Sequence, residues 1–138
     1  WVVGKSKKEE DFGYLASDLS LNKQVSFVGG VDNTIEFYQM ADTVLIPSVY
    51  DPFANVTLEA LAMGVPVISS KTNGGSEILT DLSGEVFSSL TDPHELAVLL
   101  EKRVSLKKKE ASSLPIRQSV HSLDFKEQLS HFYSLCID

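Results

Sequence analysis

Two carboxylates, Asp51 and Glu59, stand eight positions apart in the segment DPFANVTLE. Glu59 is surrounded by apolar residues, so we expect its side chain to be buried or nearly so, where an unpaired charge is costly. A buried carboxylate that accepts two hydroxyl hydrogen bonds would be stable, and a ribose offers two adjacent hydroxyls. The alternative is that Glu59 faces solvent along a narrow polar stripe. For Asp51 the structural alternative is helix capping, because Asp-Pro is a favourable helix start.

Short apolar runs alternate with amphipathic segments along most of the chain. The runs end at Gly, Pro, Ser or Asn, as buried parallel strands do; they are residues 1–3, 24–28, 43–47, 65–69 and 84–87. Helical patterns occupy residues 8–19, 33–41, 55–63 and, as a short turn, 76–80. Asp92-Pro93-His94-Glu95 predicts a further helix with a capping box, running to about Val104. This alternation predicts an α/β fold with a Rossmann-like, doubly wound parallel sheet.

Three loops follow strands and would lie together at the carboxyl edge of that sheet, where ligands bind. They are residues 28–33, 47–55 and 69–77. A helix that begins near Asn55 would present free N–H groups and a positive dipole end, so the second and third loops could bracket a phosphate. The chain has no GxGxxG motif after the first strand, so the dinucleotide-binding fingerprint is absent. It also has no GxxxxGK[ST] motif, which argues against a P-loop.

Composition narrows the class of protein further. A formal net charge of −7 argues against a nucleic-acid binder. The lone Cys136 excludes an internal disulfide and suits a reducing compartment, while the three histidines show no metal-ligand spacing. The basic cluster of Lys102, Arg103 and residues 107–109 predicts a solvated helix face, with contact to a membrane surface as the alternative. No apolar run is long enough to span a bilayer.

The segment YDPFANVTLEALAMGVPVISS, followed by NGGSEIL, resembles the carboxy-terminal, donor-binding half of retaining glycosyltransferases of the GT-B fold (family 4, glycosyl transferases group 1). The signature of that family is two acidic residues separated by seven others, here Asp51 and Glu59. The segments VSFVGGV and ADTVLIPS resemble strand-loop segments of the same family, in the same order. The form YDPFANVTLEALAMG looks most similar to bacterial lipopolysaccharide-core glucosyltransferases and their relatives. The resemblance covers roughly residues 1–100.

The resemblance implies a role for each matching residue. Glu59 matches the acid that binds the ribose hydroxyls of the sugar nucleotide, and Asp51 matches the acid beside the donor sugar, where Glu is commoner. Both are therefore the expected catalytic residues. Donor contacts are expected from Gly29, Gly30 and Val31 near the base, and from Phe53, Ala54, Asn55 and Val56 at the sugar and diphosphate, with Ala54 standing where Gly is usual. The loop of Asn73, Gly74 and Glu77 is expected to give mainly structural support.

The resemblance also implies a function. It is the transfer of a hexose, with retention, from a nucleotide-diphosphate sugar, UDP-linked in our interpretation, to a glycan or lipid-linked acceptor, as in lipopolysaccharide or other cell-surface polysaccharide synthesis. No metal or other cofactor is expected. The chain begins in a strand at Trp1 without Met, which predicts an excised piece that lacks the acceptor-binding amino-terminal domain and the family's basic pair. Such a piece is expected to bind nucleotide weakly and not to turn over. We expect a cytoplasmic location, with peripheral contact at the inner face of the membrane left open.

The predicted organisation is a nucleotide-sugar-binding domain over residues 1–104, a linker over 105–114, and an amphipathic helix over 115–138 that packs on the domain. Two alternatives stay open. One is a GT-B relative that epimerises or phosphorolyses a sugar, which would share the same nucleotide edge. The other is a non-catalytic nucleotide-binding module; a receiver-like domain is disfavoured because Gly4-Lys5, not an acidic cluster, follows the first strand.

Overall fold

The structure is a computed structural model that describes residues 1–5, 9–106 and 110–137. The chain divides into two compact units, Trp1–Glu36 and Phe37–Asp138. The division falls within a short helix, and each unit is described by itself.

The first unit contains one pair of parallel strands and a helix. Strand β1 (Val2–Val3) pairs with β2 (Phe27–Gly29), and helix α1 (Glu9–Asp18) connects them. Strand β1 and helix α1 fall within the ranges predicted for them, and β2 extends one residue beyond its predicted range, to Gly29. Only Ala16 is buried among the described residues of this unit, so its apolar side chains form no extended core.

The second unit holds a three-stranded parallel sheet in the order β3-β4-β5. Its elements in chain order are the rest of α2 (Ile35–Met40), β3 (Val44–Ile46), α3 (Asn55–Ala62), β4 (Val67–Ser70), a 3₁₀ helix (Gly74–Ile78), β5 (Gly84–Phe87), α4 (Pro93–Leu106), α5 (Glu110–Ser119), a 3₁₀ helix (His121–Leu123) and α6 (Phe125–Ile137). Val44 lies opposite Val67, which in turn lies opposite Gly84. Parallel strands that alternate with helices confirm the predicted α/β class.

The central strand β4 is buried along its whole length, as the apolar run VPVIS predicts for a parallel strand. The core around it comprises buried side chains from α2, β3, α3, β4, α5 and the positions that flank them: Tyr38, Ile46, Ala54, Ala60, Leu61, Val65, Val67, Ile116 and Val120. Burial of this apolar surface holds the unit together and fixes α3 against the sheet.

The carboxy-terminal region differs from the sequence prediction. The predicted linker is helical where it is described, since α4 extends to Leu106 and α5 begins at Glu110 with Pro115 inside it; residues 107–109 lie outside the described residues. The single predicted helix is two helices. Asp124 explains the break, because its Oδ1 accepts the backbone N–H of Lys126 at 2.9 Å and so caps α6. Assignment of residues 1–104 as the donor-binding domain stays a prediction.

The start of α4 is partly as predicted. Asp92 caps the helix, accepting the backbone N–H of His94 at 2.9 Å. Glu95, however, does not complete a capping box: its Oε2 accepts the backbone N–H groups of Ser88 and Ser89, at 3.0 and 3.1 Å. It thus stabilises the loop after β5. In the described part of the chain, no helix combines the length and apolar character needed to cross a membrane.

Candidate functional site

The loops after β3 and β4 meet at the carboxyl edge of the sheet in the second unit. The backbone N–H of Asp51 donates to Thr72 O at 3.2 Å, and Gly74 N–H donates to Asp51 O at 2.9 Å. The hydroxyls of Ser70 and Thr72 both donate to Ser48 O, at 2.6 and 2.7 Å. These bonds tie the segment around Asp51 to the segment around Asn73, as the parallel-strand prediction required.

Asn73 is the centre of the two loops and is completely buried. Its Oδ1 accepts the backbone N–H groups of Ala54, at 3.1 Å, and Gly75, at 3.0 Å. Its Nδ2 donates to Thr57 Oγ1 at 3.1 Å and to Ser69 Oγ at 2.9 Å. One side chain therefore links β4, its following turn and the start of α3. This agrees with the structural role expected for the loop, and the short amide explains why Asn works at this position.

The amino terminus of α3 is open toward solvent. Ala54 precedes the helix with φ −66° and ψ 111°, an ordinary conformation for alanine, so the absence of Gly introduces no backbone strain. Thr57 N–H donates to Ala54 O at 2.8 Å, whereas the backbone N–H groups of Asn55 and Val56 have no acceptor within the described chain. Two amide donors and the positive end of the helix dipole are thus available to an anion.

Asp51 is not the helix cap, contrary to the structural alternative considered for it. Its Oδ1 accepts the backbone N–H of Phe53 at 3.0 Å, a bond that turns the chain before the helix begins at Asn55. The side chain is half-buried. Phe53, which follows Pro52 in the same turn, is 39% exposed.

Glu59 is exposed, which corrects the expectation that it is buried. It follows Asn55 by four positions and Val56 by three, so it shares their face of α3, while Thr57 and Ala60 turn inward and are fully buried. Its Oε2 accepts a hydrogen bond of 2.7 Å from the hydroxyl of Tyr38. Within the described residues Oε1 has no partner, so one carboxylate oxygen stays available for a ligand.

Tyr38 contacts the candidate site, and sequence reasoning did not place it there. It lies on α2 and is only 8% exposed, so burial raises the pKa of its hydroxyl well above the usual range, with further increases from the hydrogen bond and the negative charge of Glu59. The hydroxyl therefore stays protonated at physiological pH and donates to Glu59 throughout. The tyrosine and the glutamate are separated by 21 positions, and nothing in the sequence pattern joins them.

The glycine loop contributes close packing. A Cβ on Gly74 would lie 1.8 Å from Pro52 O, so only glycine allows the two loops to approach this closely. Glu77 is exposed at the end of the same loop. Among the described residues, no three His, Cys, Asp or Glu side chains are grouped so that they could hold a metal ion.

Gly29, Gly30 and Val31 belong to the first unit, at the end of β2. Gly29 has φ of +74°, which favours glycine, and the aliphatic part of the Lys5 side chain lies beside Gly30. The second unit contains the other predicted site residues, Asp51, Phe53, Ala54, Asn55, Val56 and Glu59, all within one turn and the helix that follows it.

Comparison with known proteins adds a family to this geometry. LpsE of Rhizobium meliloti (strain 1021), a lipopolysaccharide core biosynthesis glycosyltransferase, is 29% identical over 105 residues, covering 76% of this chain and 31% of LpsE. The solved structure of WaaG, a glycosyltransferase involved in lipopolysaccharide biosynthesis, matches with a TM-score of 0.72 at 25% identity, covering 90% of this chain and 33% of WaaG. Anabaena HepE in complex with UDP-glucose matches in fold, with a TM-score of 0.76 at 23% identity over 96% of this chain and 39% of HepE.

The chain spans about a third of the length of the lipopolysaccharide core relatives that it matches. Residues 1–115 match the family described as glycosyl transferases group 1. That match includes both acidic residues, the turn between them and the Asn73 loop. It confirms the resemblance seen in the sequence: the chain belongs to the glycosyl transferases group 1 family.

Proposed function

We propose that this chain binds the donor substrate of a retaining glycosyltransferase, which moves a hexose from a nucleotide-diphosphate sugar to a glycan or lipid-linked acceptor. One observation carries the proposal. The backbone N–H groups of Asn55 and Val56 at the start of α3 have no acceptor among the described residues, and the exposed Glu59 carboxylate follows one turn later on the same helix. A diphosphate suits the amide donors and dipole of the helix, and a ribose suits the carboxylate.

Each predicted site residue has a place in this proposal. Glu59 accepts hydrogen bonds from the ribose hydroxyls, and Asp51 lies against the donor sugar. The turn that comprises Phe53, Ala54, Asn55 and Val56 supplies backbone donors to the sugar hydroxyls and the diphosphate. The loop of Gly29, Gly30 and Val31 contacts the base. Asn73 touches no ligand in this scheme; it holds the turn in place through Ala54 and Thr57.

The chemistry required of the chain is stabilisation of the leaving group. As the bond from the anomeric carbon to the diphosphate breaks, negative charge grows on the diphosphate oxygens. Donors already fixed at the start of α3 stabilise that charge without reorganising. We propose that these donors suffice without a metal ion.

The donor is proposed to be a UDP-linked hexose, and the setting cell-surface polysaccharide or lipopolysaccharide synthesis in the cytoplasm. Similar proteins support both choices: HepE has been solved with UDP-glucose, and LpsE and WaaG are lipopolysaccharide glycosyltransferases. Contact with the inner face of the membrane belongs to the same proposal.

Titration of the chain with UDP, GDP and ADP, followed by NMR, tests donor binding without any acceptor. We expect UDP to shift the backbone amide signals of Asn55, Val56 and Glu59 at lower concentration than GDP or ADP. Glu59→Ala should abolish or strongly reduce these shifts. Glu101→Ala removes an exposed glutamate from α4 and is the matched control. Absence of any nucleotide-dependent shift at α3 would refute the proposal.

A further inference from the structure

We propose that Tyr38 is a positioning residue: its hydroxyl orients the Glu59 carboxylate so that Oε1 faces the nucleotide ribose. The inference rests on the proposed donor-binding function and adds to it a residue outside the matched acidic signature. Tyr38 lies on α2, whereas the turn and helix that carry the signature begin after β3.

The two side chains differ in how firmly they are held. Tyr38 is 8% exposed and belongs to the core cluster of the second unit, so packing fixes its ring. Glu59 is exposed on α3, where a free glutamate would sample several rotamers. The hydrogen bond of 2.7 Å from Tyr38 to Glu59 Oε2 transfers the rigidity of the core to the carboxylate.

A carboxylate held this way is prepared for a directional ligand. Because Tyr38 occupies Oε2, Oε1 and one lone pair of Oε2 are left as acceptors for adjacent hydroxyls. Orientation before binding reduces the side-chain entropy that is lost when the ligand binds. Tyr38 therefore strengthens the ribose contact without touching the nucleotide.

A purely structural role is the competing explanation, since the same bond joins α2 to α3. The two explanations differ in which part of the ligand Tyr38 affects. A positioning residue strengthens only the hydrogen bonds that the ribose hydroxyls donate to Glu59. A merely structural bond, when lost, weakens binding of every nucleotide that uses α3, whether or not it has those hydroxyls.

The test compares Tyr38→Phe with the unaltered chain, using UDP and 2′,3′-dideoxy-UDP in calorimetric titrations. The unaltered chain should prefer UDP. In Tyr38→Phe we expect UDP binding to weaken by about five- to tenfold, the order of the net contribution of one ordinary hydrogen bond. Binding of the dideoxy analogue should be unchanged. Tyr133→Phe removes the hydroxyl of an exposed tyrosine on α6 and should change neither affinity.

A second arm places Tyr38→Phe in the Glu59→Ala background, where we expect no further effect on UDP binding because the carboxylate is already gone. On the unaltered chain, the NMR signal of the Tyr38 ring carbon that bears the hydroxyl should shift with UDP and not with the dideoxy analogue. This measurement applies even where Tyr38→Phe fails to fold.

The outcomes separate the inference from the function on which it rests. If the unaltered chain binds no UDP, or binds UDP and its dideoxy analogue equally, the ribose contact itself is wrong and the inference falls with it. If the unaltered chain prefers UDP and Tyr38→Phe retains that preference in full, only the role of Tyr38 is overturned. Equal weakening of both ligands assigns Tyr38 to structure alone.

Discussion

Two side chains determine the geometry of the candidate site, and both are buried. Asn73 makes four hydrogen bonds with its four available groups, and Tyr38 makes one to an exposed carboxylate. Buried polar groups are costly unless they are paired, so such residues hold one arrangement of their neighbours. Their loss should therefore affect stability as well as binding.

Asn73→Ala should lower the free energy of unfolding of the second unit by about 2–5 kcal/mol, because it leaves the buried N–H groups of Ala54 and Gly75 without an acceptor. Urea unfolding, followed by circular dichroism, measures the change. Asn22→Ala removes an exposed asparagine as a control and should change stability by no more than about 0.5 kcal/mol. A similar loss from both variants would contradict the assignment of Asn73 as the centre of the loops.

Because the pKa of Tyr38 is raised in the folded chain, the free energy of unfolding should depend on pH in the alkaline range. Above its usual value of about 10 the tyrosine loses its proton in the unfolded chain but keeps it in the folded one. Unfolding then releases a proton, so stability falls as pH rises, by about 1.4 kcal/mol per pH unit for one group. We expect denaturant unfolding between pH 9 and pH 11 to show a shallower fall in Tyr38→Phe. An unchanged slope would exclude Tyr38 as the source.

These partners explain why the sequence predicted part of the site only. Asp51, Glu59 and the turn between them are local, so their spacing is visible in one segment of nine residues. Asn73 and Tyr38 reach that segment from 19 and 21 positions away, and tertiary packing alone brings them there. The burial of Glu59 was predicted wrongly because the adjacent Ala60 and Leu61 lie on the buried side of α3, whereas Glu59 shares the exposed side with Val56.

Among the helices and strands, local periodicity predicted the α/β part well. Each short apolar run overlaps a strand. Burial on both faces explains the apolar run of β4, whereas no residue of β1 or β2 is buried. The end of the chain was predicted less well. Residue 115 is the predicted start of the last helix, although α5 continues through Pro115. The break before α6 is also missed, because its capping residue, Asp124, lies in a stretch without strong turn signals.

Gly74 and Gly13 should respond oppositely to the same substitution. Gly74→Ala places a methyl group against Pro52 O, so the two loops must separate, and we expect a loss of at least about 2 kcal/mol. Gly13 lies inside α1 with open space around it, and Gly13→Ala should stabilise by about 0.5–1 kcal/mol. Thermal melting of both variants measures the difference. A stable Gly74→Ala would show that the loops need not lie so close.

The two units differ in how much surface they bury. The second has several apolar side chains with no exposure, whereas in the first only Ala16 is buried among the described residues. Hydrophobic burial dominates folding energy, so the units should not be equally resistant to opening. This contrast is not visible in the sequence, because the strand and helix patterns look alike in both units.

Native-state hydrogen exchange should separate the units. The backbone N–H groups of Val2 and Val67 are bonded almost equally well, to Ser26 O at 2.8 Å and Ser83 O at 2.9 Å. They thus form a matched pair in which only the surrounding core differs. We expect the Val67 amide to exchange only through the opening reaction of highest free energy. The Val2 amide should exchange through an opening of lower free energy, and that free energy should depend less on denaturant. Identical behaviour would mean that the chain opens as one cooperative body.

The backbone bonds at Asp51 have a consequence for variation at that position. Its N–H and C=O are both engaged by the neighbouring loop, at 3.2 and 2.9 Å, irrespective of which side chain it carries. These two bonds fix the position of the main chain, and the side chain determines only how far the carboxylate extends from it. Asp51→Glu would extend the carboxylate by one methylene group and break its hydrogen bond with the Phe53 N–H, while the backbone bonds of residue 51 are kept. Under the proposed function, the length of the acid at this position can therefore vary with the donor sugar without a change in the loops around it.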